Sequence, residues 1–368
     1  MMKILSVVGA RPNFMKIAPI MRALDSYGDR VQQTLVHTGQ HFDEKMSDVF
    51  FRELELPKTH EHLGVSGGSH AVQTARIMLE FEPVILKHRP DWLVVVGDVN
   101  STVACSLVAA KIGVPIAHVE AGLRSRDNTM PEEINRKVTD AISDLLLTPS
   151  PDGDANLIAE GVSPDRIHCV GNVMIDSLIR ALPKIEQSDI LSTLGLTANQ
   201  FVLATLHRPS NVDDPEMLAE LIGALNEISE SLPIVFPVHP RTLARLETEN
   251  ITVADKINMV DPLGYFDFMA LMKSANVVLT DSGGVQEETT YLGVTCLTVR
   301  PNTERPITID EGTNRLVQPG KDTLLAAWKE VQSNPPRRNC PALWDGKAAE
   351  RIAAKLVEQN AASNPLSS

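Results

Sequence analysis

A chain of 368 residues is long enough for two domains, each with its own apolar core. Its formal net charge of −13 argues against general nucleic-acid binding and against attraction to an anionic membrane. The four cysteines, at 105, 169, 296 and 340, are scattered without a CxxC pair, which argues against a disulfide framework or a zinc knuckle.

The N-terminal apolar run meets Arg11 too soon for a signal peptide, and no run approaches the roughly 18 apolar residues of a membrane span. A cytoplasmic protein is expected. Residues 4–8 read as a buried strand, followed by Gly9-Ala10-Arg11-Pro12 and a helical pattern over 13–24. Pro12 suits a first helical turn. Arg11 and Lys16 flank that strand-to-helix junction, where free backbone N–H groups favour anions; they read equally well as surface cations. A second strand over 31–37 ends in Thr38-Gly39-Gln40-His41, and a helix is expected over 70–87.

The next stretch carries the most chemistry. Short β-branched runs at 92–96 and 114–119 are each followed at once by a carboxylate, Asp98 and Glu120. Glu132 sits behind Pro131 at the start of the following helical pattern. Strands at 145–148 and 167–170 continue the alternation, and βαβ spacing of this kind means a parallel, doubly wound sheet. Ligands of such sheets bind beyond the carboxyl ends of the strands, so the three acids can share one pocket. Each has a plainer reading: Asp98 as a cap for the helix after Asn100, Glu132 as a charge at a helix N-terminus.

The first domain is expected to end at 172, with a connecting helix over 173–182. A second alternating series follows within a domain spanning 173–344, with strands at 200–206, 234–238, 258–260, 277–280 and 295–299 and helices over 215–231, 265–274 and 285–292. Its strand ends carry His207-Arg208, His239-Pro240-Arg241 and Asp281-Ser282-Gly283-Gly284. The last, running into a helix with Glu287 and Glu288, has the make-up of a phosphate cradle, because glycines let backbone N–H groups approach phosphate oxygens. A simple glycine turn is the plainer reading. Glu288, one turn in, can accept both hydroxyls of a ribose, and Arg300 and Arg305 add cations near the same edge. A helix with an apolar stripe is expected over 345–359, then a disordered tail over 360–368.

A metal is poorly supported: His118 and Glu120 share a strand face, yet no third ligand stands at metal spacing. The cations, His207 and backbone donors can offset a diphosphate without magnesium. A nucleotide-sugar would then lie with its diphosphate on the second domain and its sugar over the acids of the first. Clustered carboxylates raise one another's pKa, so that one acts as acid while another acts as base, which suits removing and returning a proton at a sugar carbon.

These residues fall in GARPNFMK at 9–16, TGQH at 38–41, GDVNST at 97–102, HVEAGLR at 118–124, PEEINR at 131–136, HRPSN at 207–211, DSGGVQEE at 281–288 and TERP at 303–306. Together they make a specific pattern, and the chain resembles the non-hydrolysing UDP-N-acetylglucosamine 2-epimerases from Lys3 to about Val317. The resemblance implies two Rossmann-like doubly wound parallel-sheet domains facing a cleft, a glycosyltransferase-B-like fold. It also implies elimination of UDP with loss of the sugar C2 proton, giving a 2-acetamidoglucal, and re-addition of UDP with the proton delivered to the opposite face. No nicotinamide, metal or other cofactor is implied.

Carried over by motif, Asp98, Glu120 and Glu132 share the acid/base work and His207 holds the diphosphate and helps it leave. Arg11, Lys16, Arg136, Arg305 and the Ser282-Gly283-Gly284 turn bind phosphates; Glu288 takes the ribose, with Leu263 and Phe268 near uracil. Gln40, His41 and Arg76 match an allosteric substrate site. The resemblance further implies a homodimer, a C-terminal helix returning to the first domain, and a supply of N-acetylmannosamine-type sugar for cell-surface polysaccharide. The chain departs from the pattern in carrying Pro209-Ser210 where many members carry Arg-Glu, and in a longer stretch at 42–45. Relatives of this flavour also act on 2,3-diacetamido uronate UDP-sugars. A glycosyltransferase of the same fold, a hydrolysing epimerase and a non-catalytic nucleotide-sugar sensor are the competing readings; retention of the three acids weighs against the sensor.

Overall fold

The computed structural model describes residues 1–39, 59–336 and 339–363. It divides into two compact units, one formed by Met1–Ser177 with the chain from Ala342 on, the other by Leu178–Pro341. The Val173–Ile185 helix runs through the first junction without a break.

The first unit holds β1 (Met2–Val8), β2 (Val31–His37), β3 (Glu61–His62), β4 (Trp92–Val96), β5 (Ile116–Val119), β6 (Leu145–Thr148) and β7 (Ile167–Cys169). They form one parallel sheet in the order β3-β2-β1-β4-β5-β6-β7. Every residue of β4, β5 and β6 is buried, as expected of parallel strands covered on both faces. On one face Leu5, Val7, Leu93, Val95 and Ile116 cluster with Ile77, Phe81 and Ile85 of the His70–His88 helix. The closing Ala348–Ser363 helix packs on the Arg11–Asp25 helix through a stripe that buries Ala349, Ile352, Ala353 and Leu356. That helix starts later and ends later than the pattern suggests, so residues 360–363 are helical rather than tail, and 364–368 lie outside the described residues. Its first turn is held by Asp176, whose carboxylate accepts the Ala348 and Ala349 N–H groups at 3.2 and 2.7 Å.

The second unit holds β8 (Val202–Thr205), β9 (Ile234–Pro237), β10 (Ile257–Val260), β11 (Val277–Thr280), β12 (Thr295–Val299) and β13 (Asn314–Val317). The sheet is again parallel, in the order β10-β9-β8-β11-β12-β13. Its core sets Val202, Ala204, Phe236, Leu279 and Leu297 against the Pro215–Ser229 and Lys321–Ser333 helices. In both units the strand order reverses beside the first strand, at β1/β4 and at β8/β11. Such a reversal opens a crevice beyond the carboxyl strand ends where ligands of these sheets bind.

Candidate active site

At the first reversal the chain leaves β4 through Gly97, whose φ of +68° is left-handed. A Cβ there would stand 2.9 Å from Lys16 Nζ, so glycine lets that ammonium approach the strand end. Val96 is in register with Val119, and the Gly97 N–H donates to the Val119 carbonyl at 3.1 Å, so Asp98 and Glu120 leave neighbouring strands side by side. Glu120 also has a left-handed backbone, φ +68°, a conformation that costs a non-glycine residue and collects at functional sites. Its N–H donates to the Leu147 carbonyl at 3.0 Å.

The Glu120 side chain is buried and ion-paired through Oε2 with the equally buried Lys16 ammonium. Its other oxygen, Oε1, is buried and accepts no hydrogen bond among the described residues. An orphaned carboxylate oxygen is costly, because burial removes its water without supplying a donor.

Asp98 does not cap the next helix: Asn100–Ile112 starts after Val99 with no side-chain cap. Instead its Oδ2 accepts from Arg136 Nε at 2.9 Å and lies 2.8 Å from Nη2, while its carbonyl accepts from Asn135 at 2.9 Å. Arg136 also donates to Glu133 at 2.6 Å. Glu133 further accepts the Ser125 and Arg126 N–H groups at 2.9 and 3.0 Å. Burial alone would raise the Glu133 carboxyl; the two amides and Arg136 outweigh it and hold it below the usual range. Glu133 is thus an anchor, while Glu132 stands half-buried beside it on the Pro131–Ile142 helix. Arg136, expected on phosphate, spends its guanidinium on Asp98 and Glu133.

Beneath these acids lies a charge cluster that the motif reading misses. His118 is fully buried, with Nδ1 2.6 Å from Asp140 Oδ1 and Nε2 2.9 Å from the Gly97 carbonyl, so neither nitrogen is left to ligate a metal. Asp140 Oδ2 accepts from Gly122 N at 3.1 Å and from Arg124 Nη1 at 2.7 Å. Burial pushes the Asp140 carboxyl up, yet His118 and Arg124 outweigh it and keep it below the ordinary range. One carboxylate therefore holds the turn that presents Glu120 and, through His118, the turn that presents Asp98. Among the described residues, no three His, Cys, Asp or Glu side chains gather as a metal site.

At the second reversal Asp281 organises the end of β8. Fully buried, it accepts the His207 N–H at 3.0 Å, the Arg208 N–H at 2.9 Å and the Asn211 amide at 3.1 Å, and lies 2.9 Å from His207 Nδ1. Desolvation raises its carboxyl, but the His207 ring and these amides more than compensate and hold it low. An ionised carboxylate only accepts, so Nδ1 carries the proton and Nε2 is the nitrogen of the half-exposed His207 ring that Asp281 does not engage. The Gly283–Leu292 helix begins at Ser282 without a side-chain cap, which leaves its first N–H groups for an anion. A Cβ at Gly283 would lie 2.8 Å from Glu304 Oε1 and 2.9 Å from Arg305 Nη1. Arg305 is held between Glu287, 2.9 Å from Nε, and Glu304.

Glu288 is buried, and desolvation, with the neighbouring Glu287 charge, pushes its carboxyl up to about 8. A carboxyl at about 8 holds its proton at neutral pH, so it can donate one hydrogen bond as well as accept, where the motif reading has it only accepting. Tyr265 Oη lies 3.4 Å from Glu288 Oε1, a neighbour that the motif reading also misses. Leu263 and Phe268 lie half-buried just before and within the Tyr265–Ser274 helix, so Tyr265 ties their element to Glu288. Arg11 opens the Arg11–Asp25 helix. Arg76 is exposed on the His70–His88 helix, whereas Gln40 and His41, its expected allosteric partners, lie outside the described residues.

Two doubly wound parallel units, with carboxylates at one reversal and an uncapped helix start beside a His–Asp pair at the other, give the chain a glycosyltransferase-B-like fold. The family model for UDP-N-acetylglucosamine 2-epimerase matches residues 23–357. A UDP-N-acetylglucosamine 2-epimerase of Methanocaldococcus jannaschii is 41% identical over 365 residues, covering 97% of this chain and 99% of the relative. A UDP-2,3-diacetamido-2,3-dideoxy-D-glucuronate 2-epimerase of Pseudomonas aeruginosa is 40% identical over 361 residues, covering 97% and 100%. The crystal structure of a Methanocaldococcus jannaschii UDP-GlcNAc 2-epimerase with UDP-GlcNAc and UDP superposes with a TM-score of 0.87 at 40% identity, covering 97% of this chain and 100% of that one. The chain belongs to the UDP-N-acetylglucosamine 2-epimerase family.

Proposed function

We propose that this chain interconverts UDP-N-acetylglucosamine and UDP-N-acetylmannosamine. A carboxylate takes the C2 proton as the C1–O bond to UDP breaks, leaving a C1=C2 double bond in a 2-acetamidoglucal. UDP oxygen then re-forms the bond at C1 while a proton reaches C2 from the other face. The sequence is redox-neutral and needs neither nicotinamide nor metal. Asp98, Glu120 and Glu132 supply the proton chemistry on the first unit. His207 Nε2 and the helix start at Ser282-Gly283-Gly284 hold the departing diphosphate on the second, with Glu288 on the ribose. Leu263 and Phe268 contact the base, and the cations Arg11, Lys16, Arg136 and Arg305 balance charge.

The observation that carries this reading is Glu120: a buried carboxylate at a parallel-sheet reversal, on strained backbone, with one oxygen paired to Lys16 and the other without a partner among the described residues. The likeness to a 2,3-diacetamido glucuronate epimerase supports a second substrate, decorated at C3 and C6, for the same chemistry. The setting is the cytoplasm, and the product serves polysaccharide synthesis.

Incubation with each UDP-sugar in D2O, followed by NMR, tests the proposal. Deuterium at C2 in intact UDP-sugars of both configurations is expected with at least one of them. Release of free sugar and UDP would point to hydrolysis, and no exchange with either substrate would reject the reading.

A further inference from the structure

Gln286 stands one turn into the Gly283–Leu292 helix and is wholly buried. Its amide is engaged at both ends. Nε2 donates to the Ser282 carbonyl at 3.3 Å, while Oε1 accepts from Thr303 Oγ1 at 2.7 Å and from Asn314 Nδ2 at 3.1 Å. Three separate pieces of chain therefore meet on one side chain: the turn after β11, the loop after β12 and the start of β13.

Each piece is braced in turn. Thr303 Oγ1, which gives its proton to Gln286, accepts the Arg305 N–H at 3.1 Å, so the loop that carries Arg305 closes on Gln286. Asn314 accepts from Thr298 Oγ1 at 2.6 Å and donates to Thr308 Oγ1 at 3.3 Å; the Thr308 hydroxyl donates to the Arg305 carbonyl at 2.8 Å. The Ser282 N–H donates to Thr280 Oγ1 at 3.0 Å, which ties the turn to the end of β11. A buried polar network satisfied in this way holds its members in one arrangement. The turn and the loop also lie against each other, since Arg305 Nη1 would stand 2.9 Å from a Cβ at Gly283.

We infer that Gln286 is a positioning residue for the diphosphate. It fixes the Ser282-Gly283-Gly284 turn against the Arg305 loop, so that the amides of one and the guanidinium of the other meet the same phosphates. This rests on the proposed function, in which both groups bind the diphosphate. Leu263 and Phe268, proposed for the base, stand before and within the Tyr265–Ser274 helix, outside this network. Gln286 thus serves the phosphate end of the nucleotide and not the base.

Calorimetry with UDP and an NMR titration with uridine separate the two ends. Gln286→Met keeps the volume and removes both hydrogen-bonding ends, whereas Thr303→Val, at a half-buried site, removes the hydroxyl between Gln286 and Arg305. Each should weaken UDP about tenfold, the worth of one hydrogen bond to a charged group, and leave uridine within about twofold. Thr303→Ser, which keeps the hydroxyl, should bind UDP like the parent. The double variant should be no weaker than Gln286→Met, because the two side chains act through one link. UDP and uridine weakened alike, or UDP affinity unchanged in both variants, would overturn the assignment. Thr303→Val and its rescue by Thr303→Ser decide the matter even if Gln286→Met folds poorly. A parent chain that binds no UDP would overturn the nucleotide reading itself, and this assignment with it.

Discussion

Lys16 and Glu120 stand 104 residues apart in the chain and meet as a buried ion pair at the carboxyl edge of one parallel sheet. The pairing follows from strand order: Lys16 lies on the helix after β1, Glu120 just past β5, and β4 between them ends in a glycine that admits the ammonium. Removing one partner of a buried pair strands the other charge. Lys16→Met is therefore expected to destabilise the protein by about 3–5 kcal/mol. Glu120→Gln keeps the volume and leaves a neutral side chain, so it should fold and lose at least a hundredfold in C2 exchange. Denaturant melts and exchange rates on the two variants check the pair. Near-normal exchange in Glu120→Gln would remove Glu120 from the chemistry.

In the second unit the corresponding arrangement is His207 on Asp281. Asp281→Asn keeps the shape but turns an acceptor into a group carrying its own N–H donors. Those would face the His207 and Arg208 amides and Asn211. A stability loss of about 1–3 kcal/mol is expected, with turnover falling by roughly 10²–10⁴ as the His207 ring loses its fixed orientation. His207→Gln, at a half-exposed ring, should cost under about 0.5 kcal/mol of stability and still lose turnover. Equal turnover in His207→Gln and the parent would show that the ring is a bystander.

The strands of both sheets were legible because parallel strands buried on two faces are written as unbroken apolar runs; Trp92–Val96, Val277–Thr280 and Thr295–Val299 fall where the runs do. Two strands were not. Glu61–His62 is a short polar edge piece, and Asn314–Val317 carries Asn and Arg where an apolar run would have marked it. The acids themselves stood out at strand ends. What could not be read was which of Glu132 and Glu133 turns inward, since adjacent helical residues differ only by a 100° rotation about an axis whose placement is tertiary. Asp140 was hidden for the same reason: its work lies in groups 16 to 22 residues away. Tyr265 likewise meets Glu288 only through the fold.

Asp140 carries the next prediction. It receives Gly122, Arg124 and His118 at once, and His118 passes the constraint on to Gly97. Asp140→Asn removes the acceptor that faces His118 Nδ1 and leaves Arg124 with Glu160 as counter-charge, at 2.8 and 2.6 Å, with an expected loss of about 1–3 kcal/mol. On the proposed function the acids shift while the groups proposed to hold UDP on the second unit do not, so kcat should fall with little change in UDP affinity, measured by calorimetry. A parallel loss of UDP affinity would mean that Asp140 serves overall folding alone.

Glu288 supplies a pH dependence of definite sign. Its carboxyl rises from about 4.5 to about 8 on folding, with burial the main cause and Glu287 the second. Between those values the folded chain holds a proton that the unfolded chain has released, so stability falls as pH rises, by up to about 1.4 kcal/mol per unit for one group. The contribution is fully present below pH 4.5 and gone above pH 8. Urea melts between pH 5 and 9 should show this decline, and Glu288→Gln, neutral throughout, should flatten it. UDP affinity should fall over the upper part of the same range, as the carboxyl loses the proton it can donate to a ribose hydroxyl and gains a charge that repels the diphosphate. Melts equally steep in Glu288→Gln and the parent would assign the slope to other groups, and UDP affinity unchanged through pH 8 would remove Glu288 from the ribose.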